Sequence, residues 1–522
     1  MSSPSDEAPA TDSHAETARD STRGVAVIAF AKVWFLLTGF PQQVLLLWIL
    51  RPVAYGVYGS VLNVISIVNN VVVTASIQGM SRAVTESGNA ALRRGLQLHV
   101  MFGVFASGSL MLLATPIGLG ILGDPQLPGL LRIAAIVVGL YAVYAALVGA
   151  LNGARRFRAQ AGLDILFATL RTGLILGLAA TPFAVRGAVS GFAAASVVIT
   201  LTAAVVVFRT PLAEHPPPGD SSATPSRTFG EFARHYTRFF APVVVYQFAL
   251  NLVLQSDLLV LKALLVRRAG ASIHAVNQLV GMYKSVQNFA FLPYQLLLAV
   301  TFVAFPVVSR ATLAGDREAT RRFVAGTARF SLLALGAMLA VLAGMPFRVL
   351  RLAYPPGVAE GANVLRILSI GQGFFALAVI GTTIIVASGR IALATVIMVG
   401  TFACTFGGNV LGVFLGHSGV HALEGAASGT AAGSFAAFVV VSITCARTFG
   451  AFVTPATLAR AVIAAGVSAI PLSFVGTRGK LLTLALAPTA VALYIVALVA
   501  LREIGAAERT AIAGLLRRRR RR

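Results

Sequence analysis

The chain has 522 residues, 57% of them hydrophobic and only 11% charged, with a mean hydropathy of +0.83. Soluble domains carry about 25% charged residues, so this composition excludes a water-soluble globular enzyme and indicates a polytopic membrane protein. The formal net charge of +24 would point to nucleic acid in a soluble chain, but here the basic residues fall between apolar runs, where they set topology.

Residues 1–24 are polar and acidic at the start and lack the basic n-region of a cleavable signal, which predicts a disordered cytoplasmic tail. Apolar runs of about 20 residues, the length that crosses a bilayer as helix, then recur along the chain. They predict fourteen spans: 25–50, 58–78, 98–122, 130–152, 163–184, 187–208, 239–265, 286–308, 330–346, 363–387, 391–416, 420–446, 457–477 and 481–501. The Pro-rich stretch HPPPGDSSATPS interrupts them and reads as a cytoplasmic linker over 209–238. It separates an N-lobe (25–208) from a C-lobe (239–447). Spans thirteen and fourteen (457–502) follow, and a basic cytoplasmic tail (503–522) ends in six arginines suited to anionic lipid.

The two lobes are copies of one unit. GVYGSVLN at 56–63 returns as GMYKSVQN at 281–288, and GAVSGFAAAS at 187–196 returns as GAASGTAAGS at 425–434. These matches pair span two with span eight and span six with span twelve, which defines a six-span repeat. An even number of spans returns the chain to its starting side, so the halves are parallel repeats related by an axis along the membrane normal. With the N-terminus inside, 28 of the 42 basic residues fall in cytoplasmic segments and 9 outside. Both termini are therefore expected in the cytoplasm.

Enzymatic motifs are missing. The sequence has no phosphate-binding Gly-rich loop with its lysine, no HExxH and no nucleophile elbow. Cys404 and Cys445 lie in apolar spans with no supporting metal spacing. Neither an enzyme nor a cofactor or metal site is expected.

Chemistry therefore rests on polar groups held at membrane depth, which are costly there unless they face a cavity or a partner. Span seven is the richest. Gln247, Asn251 and Gln255 recur every four residues on one face, followed by Asp257 and Lys262. The amides suit interhelical hydrogen bonds as well as ligand contact; the carboxylate is by default a functional candidate. Lys32 in span one and Arg171 in span five have no acidic residue four positions away; snorkelling to the interface is the alternative to a lumenal role. Arg132, Lys284 and Arg366 lie near span ends, where snorkelling is the natural reading. Glycines at 187 and 191, and at 425, 429 and 433, have the four-residue spacing of close helix packing. Prolines 41, 242, 293 and 306 interrupt spans one, seven and eight.

RPVAYGVYGSV, ALVGALNGARRFRAQA, LVLQSDLLVL and VGMYKSVQNFAFLPYQLLLAVTFVAFPVVSR together resemble the polysaccharide exporter and oligosaccharide flippase family, whose superfamily also holds multidrug extruders and the lipid II flippase. The resemblance runs from about residue 25 to 500. It implies two six-helix lobes facing each other in a V, and ion-coupled alternating access that carries a polyprenyl-diphosphate-linked oligosaccharide across the bacterial cytoplasmic (inner) membrane for surface polysaccharide synthesis. Under it, Lys32, Arg171 and Lys262 would face the diphosphate and Asn251 and Gln255 the sugars. Asp257 matches a position often acidic in the family and would bind the coupling proton or sodium, alternating with a neighbouring lysine, Lys262. Membrane lipids, and a polysaccharide polymerase or assembly enzymes, are the implied partners; nucleic acid is not.

Three alternatives are a multidrug antiporter, a lipid II flippase and a non-transporting scaffold that recruits glycan-assembly enzymes. Cationic drugs want acidic or aromatic lumens, whereas the deep charges here are mostly basic. Fourteen spans resemble the lipid II branch, but that branch's cluster of arginines in the first two spans is not reproduced: Lys32 stands in span one, and Arg51 and Arg82 only bracket span two.

Overall fold

The computed structural model describes residues 10–209, 228–268, 270, 272–417, 419–474 and 479–505. Residues 1–9 of the N-terminal tail, residues 210–227 of the linker and the Arg517–Arg522 run lie outside the described residues, while residues 10–24, expected as a disordered tail, form the start of the first helix. Among those described there is no strand. Fourteen α-helices follow one another: α1 (Ala10–Thr115), α2 (Leu127–Gly153), α3 (Phe157–Ala179), α4 (Ala184–Arg209), α5 (Phe229–Val266), α6 (Ile273–Ala290), α7 (Leu292–Leu313), α8 (Arg317–Leu342), α9 (Pro346–Ala353), α10 (Ala362–Ala387), α11 (Ile391–Leu415), α12 (Gly419–Phe449), α13 (Pro455–Phe474) and α14 (Lys480–Ala500).

Twelve helical stretches among the described residues are long and apolar enough to cross a membrane. One of them, Val33–Gly88, is 56 residues long. Straight, it would reach about 84 Å, nearly three bilayer cores of about 30 Å. It is broken at Arg51, whose φ of 63° is left-handed and whose successor is Pro52, a residue that disfavours helix in the position before it. Spans one and two part at this point. Expected span eight is divided between α6 and α7 at Phe291, with Pro293 in the first turn of α7 where a missing N–H costs no hydrogen bond. These two stretches account for the difference between fourteen and twelve.

A short π-helical turn, Pro116–Ile121, closes α1. It and Gly123, with φ of 57°, lead into Asp124, a fully buried carboxylate. Such turns recur at functional sites.

The chain divides into two compact units. Unit 1 holds Met1–Ile49, Ile65–Leu119 and Pro125–Gln247; unit 2 holds Leu50–Val64, Gly120–Asp124 and Phe248–Arg522. Within unit 1, α4 lies so close to α3 that a Cβ on Gly187 would stand 2.1 Å from the Leu178 carbonyl oxygen and one on Gly191 2.4 Å from that of Leu174. Tyr141, Phe167 and Phe192 pack edge to face beside this contact. A buried chain of hydrogen bonds runs from Ser76 through His99 (3.1 Å) to Tyr236 (2.7 Å) and ties α1 to the start of α5. Within unit 2, α12 meets α11 in the same manner: a Cβ on Gly425 would fall 1.9 Å from the Gly412 oxygen, and one on Gly429 2.2 Å from the Gly408 carbonyl carbon. The four-residue glycine spacing is helix packing in both copies.

Candidate functional site

The polar residues of unit 2 converge on α5. Asn251, Gln255, Asp257 and Lys262 are all buried. Lys262, with no exposed surface, donates from Nζ to Asp124 Oδ2 at 2.7 Å and to Ser60 Oγ at 3.3 Å. The same Asp124 oxygen accepts from Asn277 Nδ2 at 3.0 Å. Removing two charges from water is expensive, and the loss is offset only where geometry is good and further hydrogen bonds satisfy the pair. Ser60 and Asn277 supply those bonds.

Asp257 is enclosed differently. Its Oδ1 accepts from the Leu258 backbone N–H at 2.8 Å and from Gln287 Nε2 at 2.9 Å, and its Oδ2 accepts from the Tyr283 hydroxyl at 2.9 Å. Gln287 is shared: its Oε1 accepts from Lys284 Nζ at 2.9 Å, and Lys284 also donates to Asn63 Oδ1 at 2.9 Å. Asn63 in turn donates to the Gln255 carbonyl oxygen at 3.2 Å. A carboxylate and an ammonium are thus joined through one amide, all within unit 2.

The duplicated octapeptide builds this arrangement by packing on its own copy. A Cβ on Gly56 would lie 2.0 Å from the Asn277 carbonyl oxygen, and one on Gly281 2.0 Å from that of Pro52. Equivalent glycines of the two repeats therefore allow backbone contact. The copies differ at three positions; two of them, Gly59 against Lys284 and Leu62 against Gln287, supply the lysine and the amide of this network. A Cβ on Gly59 would stand 2.9 Å from Lys284 Cγ, so the missing side chain of one copy makes room for the lysine of the other.

Unit 1 carries a different constellation. The Arg171 guanidinium on α3 lies 4.6 Å from the Phe35 ring centre and 5.8 Å from those of Phe167 and Phe192. Its Nε has no hydrogen-bond partner among the described residues. Beside it, Trp34 Nε1 donates to Thr169 Oγ1 at 3.1 Å and Thr172 donates to Gln42 Oε1 at 3.1 Å, so one face of span one meets α3 through aromatic and amide groups. The Lys32 side chain lies outside the described residues.

Of the candidates read from the sequence, Asn251, Gln255, Asp257 and Lys262 share unit 2, while Arg171 belongs to unit 1. Lys262, the lysine expected to alternate with Asp257, is committed to Asp124. The lysine linked to Asp257 is Lys284, and it is buried, not snorkelling. Asp124, Asn63, Gln287, Tyr283 and Asn277 escaped sequence reasoning. Asn63, Tyr283 and Gln287 lie inside the octapeptide repeat, which was a usable signal; Asp124 lies in a loop, where a carboxylate attracts no notice until the fold buries it. Among the described residues no group of three or more His, Cys, Asp or Glu side chains is placed to hold a metal ion.

The fold is that of known transporters. The chain is similar to an inward-closed lipid II flippase, MurJ (TM-score 0.69, 12% identity, 92% of this chain and 99% of that one covered). It is also similar to a transporter of the MOP superfamily from Pyrococcus furiosus, described as having a binding pocket of reverse polarity (0.58, 14%, 82% and 95%), and to the Vibrio cholerae MATE transporter VcmN in its bent form (0.54, 17%, 86% and 99%). No curated protein sequence matches it. The polysaccharide biosynthesis protein family profile matches residues 21–312, more than half of the chain, and this multi-pass membrane protein belongs to that family.

Proposed function

We propose that the protein is a flippase that carries a polyprenyl-diphosphate-linked oligosaccharide from the cytoplasmic to the outer leaflet of a bacterial inner membrane, for surface polysaccharide assembly. The observation that carries this reading is Arg171. Its guanidinium packs on three phenylalanine rings, an Nε without a partner leaves donor capacity, and no carboxylate among the described residues forms an ion pair with it. Stacking on rings is worth about 0.5–2 kcal/mol and holds the plane in place without cancelling its charge. Such a group suits a diphosphate, which takes paired hydrogen bonds from guanidinium better than from ammonium. Trp34 and Phe35 nearby offer apolar faces to sugar rings, and Lys32 on the same span would add a second cation. In unit 2, Gln255 has a buried Oε1 without a partner, an acceptor for a sugar hydroxyl, and Asn251 stands one turn before it.

Movement in this reading is alternating access of two parallel six-helix repeats, 25–208 and 239–447, joined by the 209–238 linker, with both termini cytoplasmic. Asp257 is the coupling group for a proton or sodium ion. A multidrug antiporter, whose cationic substrates want an acidic or aromatic lumen, is disfavoured by the Arg171 guanidinium, a cation at membrane depth that rests on rings. A lipid II flippase would use the same diphosphate chemistry on a different glycan.

The test is the distribution of polyprenyl-diphosphate-linked glycans between leaflets in cells depleted of the protein and rescued with wild type, Arg171→Ala or Arg171→Lys. Cytoplasmic accumulation relieved by wild type, not by Arg171→Ala and only partly by Arg171→Lys, is expected. An unchanged distribution on depletion would sink the flippase reading. Accumulation confined to the peptidoglycan precursor would replace it with the lipid II alternative.

A further inference from the structure

Asp257 is surrounded by donors, and the kind of donor at each oxygen decides what it can bind. Both partners of Oδ1 are N–H groups. The Leu258 amide cannot turn, and Gln287 is held in register because its own oxygen accepts from Lys284; flipping it would set its NH2 against an ammonium. Oδ1 therefore has no room for a hydrogen or a metal ion. The partner of Oδ2 is a phenol, which can accept as well as donate. A proton added there would be donated to the Tyr283 oxygen while the phenol hydrogen rotates away, with the Thr430 side chain in reach as its next partner. A metal cation needs several oxygen ligands at once, and this enclosure offers hydrogens on three sides.

The consequence of neutralising Asp257 falls on Lys284. Its chain lies across Gly59 and ends on Asn63, so it fastens the segment 52–64 to α6. Among the described residues, the charged or titratable groups that interact with Asp257 are Tyr283 and Lys284, both from α6; on α5 itself, Lys262 is occupied by Asp124, and the segment 52–64 offers Asn63 and Ser60. With Asp257 ionised, the Lys284 ammonium has a counter-charge one amide away. With Asp257 neutral, it is a buried cation held by two amide oxygens, a state relieved by reaching water.

We propose that Asp257 takes up the coupling proton on Oδ2 and that Lys284 converts this uptake into release of the segment 52–64 from α6. This rests on reading Asp257 as the coupling group. The proton comes from the aqueous phase; one O–H bond forms on the carboxylate, its charge goes from −1 to 0, and no other covalent bond changes. Lys284 is a positioning residue that transmits the event, and Gln287 links the two charges.

The experiment uses the full-length protein in nanodiscs, with Cys404→Ser and Cys445→Ala, and spin labels on Arg51→Cys and Gln278→Cys, both exposed positions. A longer-distance population is expected to grow as pH falls and to reverse when pH is restored. Asp257→Asn, which mimics the neutral acid, should hold that population at every pH. Lys284→Met should abolish the pH response with Asp257 still present, and Lys284→Arg should keep it. Should Lys284→Met fail to fold, Gln287→Leu severs the same link and carries the same expectation. A pH response that survives in monodisperse Asp257→Asn or Lys284→Met overturns the proposal, as does a sodium titration at fixed pH that reproduces the shift. The readout involves no glycan, so it is separate from the flippase reading. Unchanged transport in Asp257→Asn would instead remove the coupling role on which the proposal rests.

Discussion

Lys262 and Asp124 show how a charge is kept at membrane depth. Each alone would be a buried, uncompensated ion, and removing one partner of such a pair typically costs about 3–5 kcal/mol, whereas replacing both with apolar groups of similar size is often neutral or better. Asp124→Ala is therefore expected to lower thermal stability strongly in purified protein, and Asp124→Leu with Lys262→Met to recover most of the loss. A double variant as unstable as the single would mean that the cost does not come from the orphaned ammonium. Asp257 and Arg171 follow other rules: the first is wrapped in neutral donors and the second rests on rings, so both keep a charge that is not cancelled by direct contact. At this scale the sequence announces which residue types are buried at depth but not their partners. Asp257 and Lys262 are five positions apart on one helix and look like a pair; the fold instead bonds Asp257 to Tyr283 and Gln287 of α6 and Lys262 to Asp124 in the loop before α2.

Helices in lipid gain little from apolar contact with one another, so close backbone approach and polar contacts do the joining. The glycine runs on α4 and α12 supply the first. The end of α14 supplies the second. Glu503, at the start of the stretch read as a basic tail, is buried and accepts from Arg329 Nε and Arg460 Nη1, each at 2.9 Å, and from Thr457 at 3.1 Å; Arg329 also donates to its backbone carbonyl. It thereby ties the chain after α14 to α8 and α13. Burial alone would raise its carboxyl, but the bonds from Arg460, Arg329 and Thr457 outweigh that and hold it below the ordinary value of 4.5. A depressed carboxylate stabilises fully above its unfolded value, and the contribution is lost as pH falls through the folded value. Hydrogen exchange in α14, taken relative to the intrinsic amide rate at each pH, is expected to be slow at neutral pH and to rise below about pH 4.5. Glu503→Gln should raise it at neutral pH and flatten the dependence; exchange in α14 indifferent to both would deny Glu503 this role.

Across the whole chain, the alternation of spans makes a strict demand: every polar contact between span ends must join ends on the same side. Asp124, Ser60, Lys262 and Asn277 all lie at or beyond span ends on one side in the sequence-based topology, and Arg329, Arg460 and Glu503 at or beyond span ends on the other. The hydrogen bonds observed in unit 2 obey this. The distribution of Lys and Arg makes the Arg329, Arg460 and Glu503 side the proposed cytoplasmic one. Single cysteines placed at residue 5 and at residue 512 should both resist an impermeant thiol reagent in intact cells and react after permeabilisation. Labelling of either in intact cells would invert or break the topology.

The sequence by itself determined the membrane class, the helix spans, the internal duplication and the glycines that let helices touch. These depend on composition and local periodicity, and the bilayer demands that every backbone group be satisfied within its own helix, which makes spans readable one at a time. Tertiary structure alone decided which buried charges meet. Asp124 became an ion-pair partner because a π turn carried it beside α5, and Lys284 became buried because Gly59 in the other repeat left space for it. Pairings of this kind link residues 138 and 221 positions apart, and no periodicity within a single span encodes them.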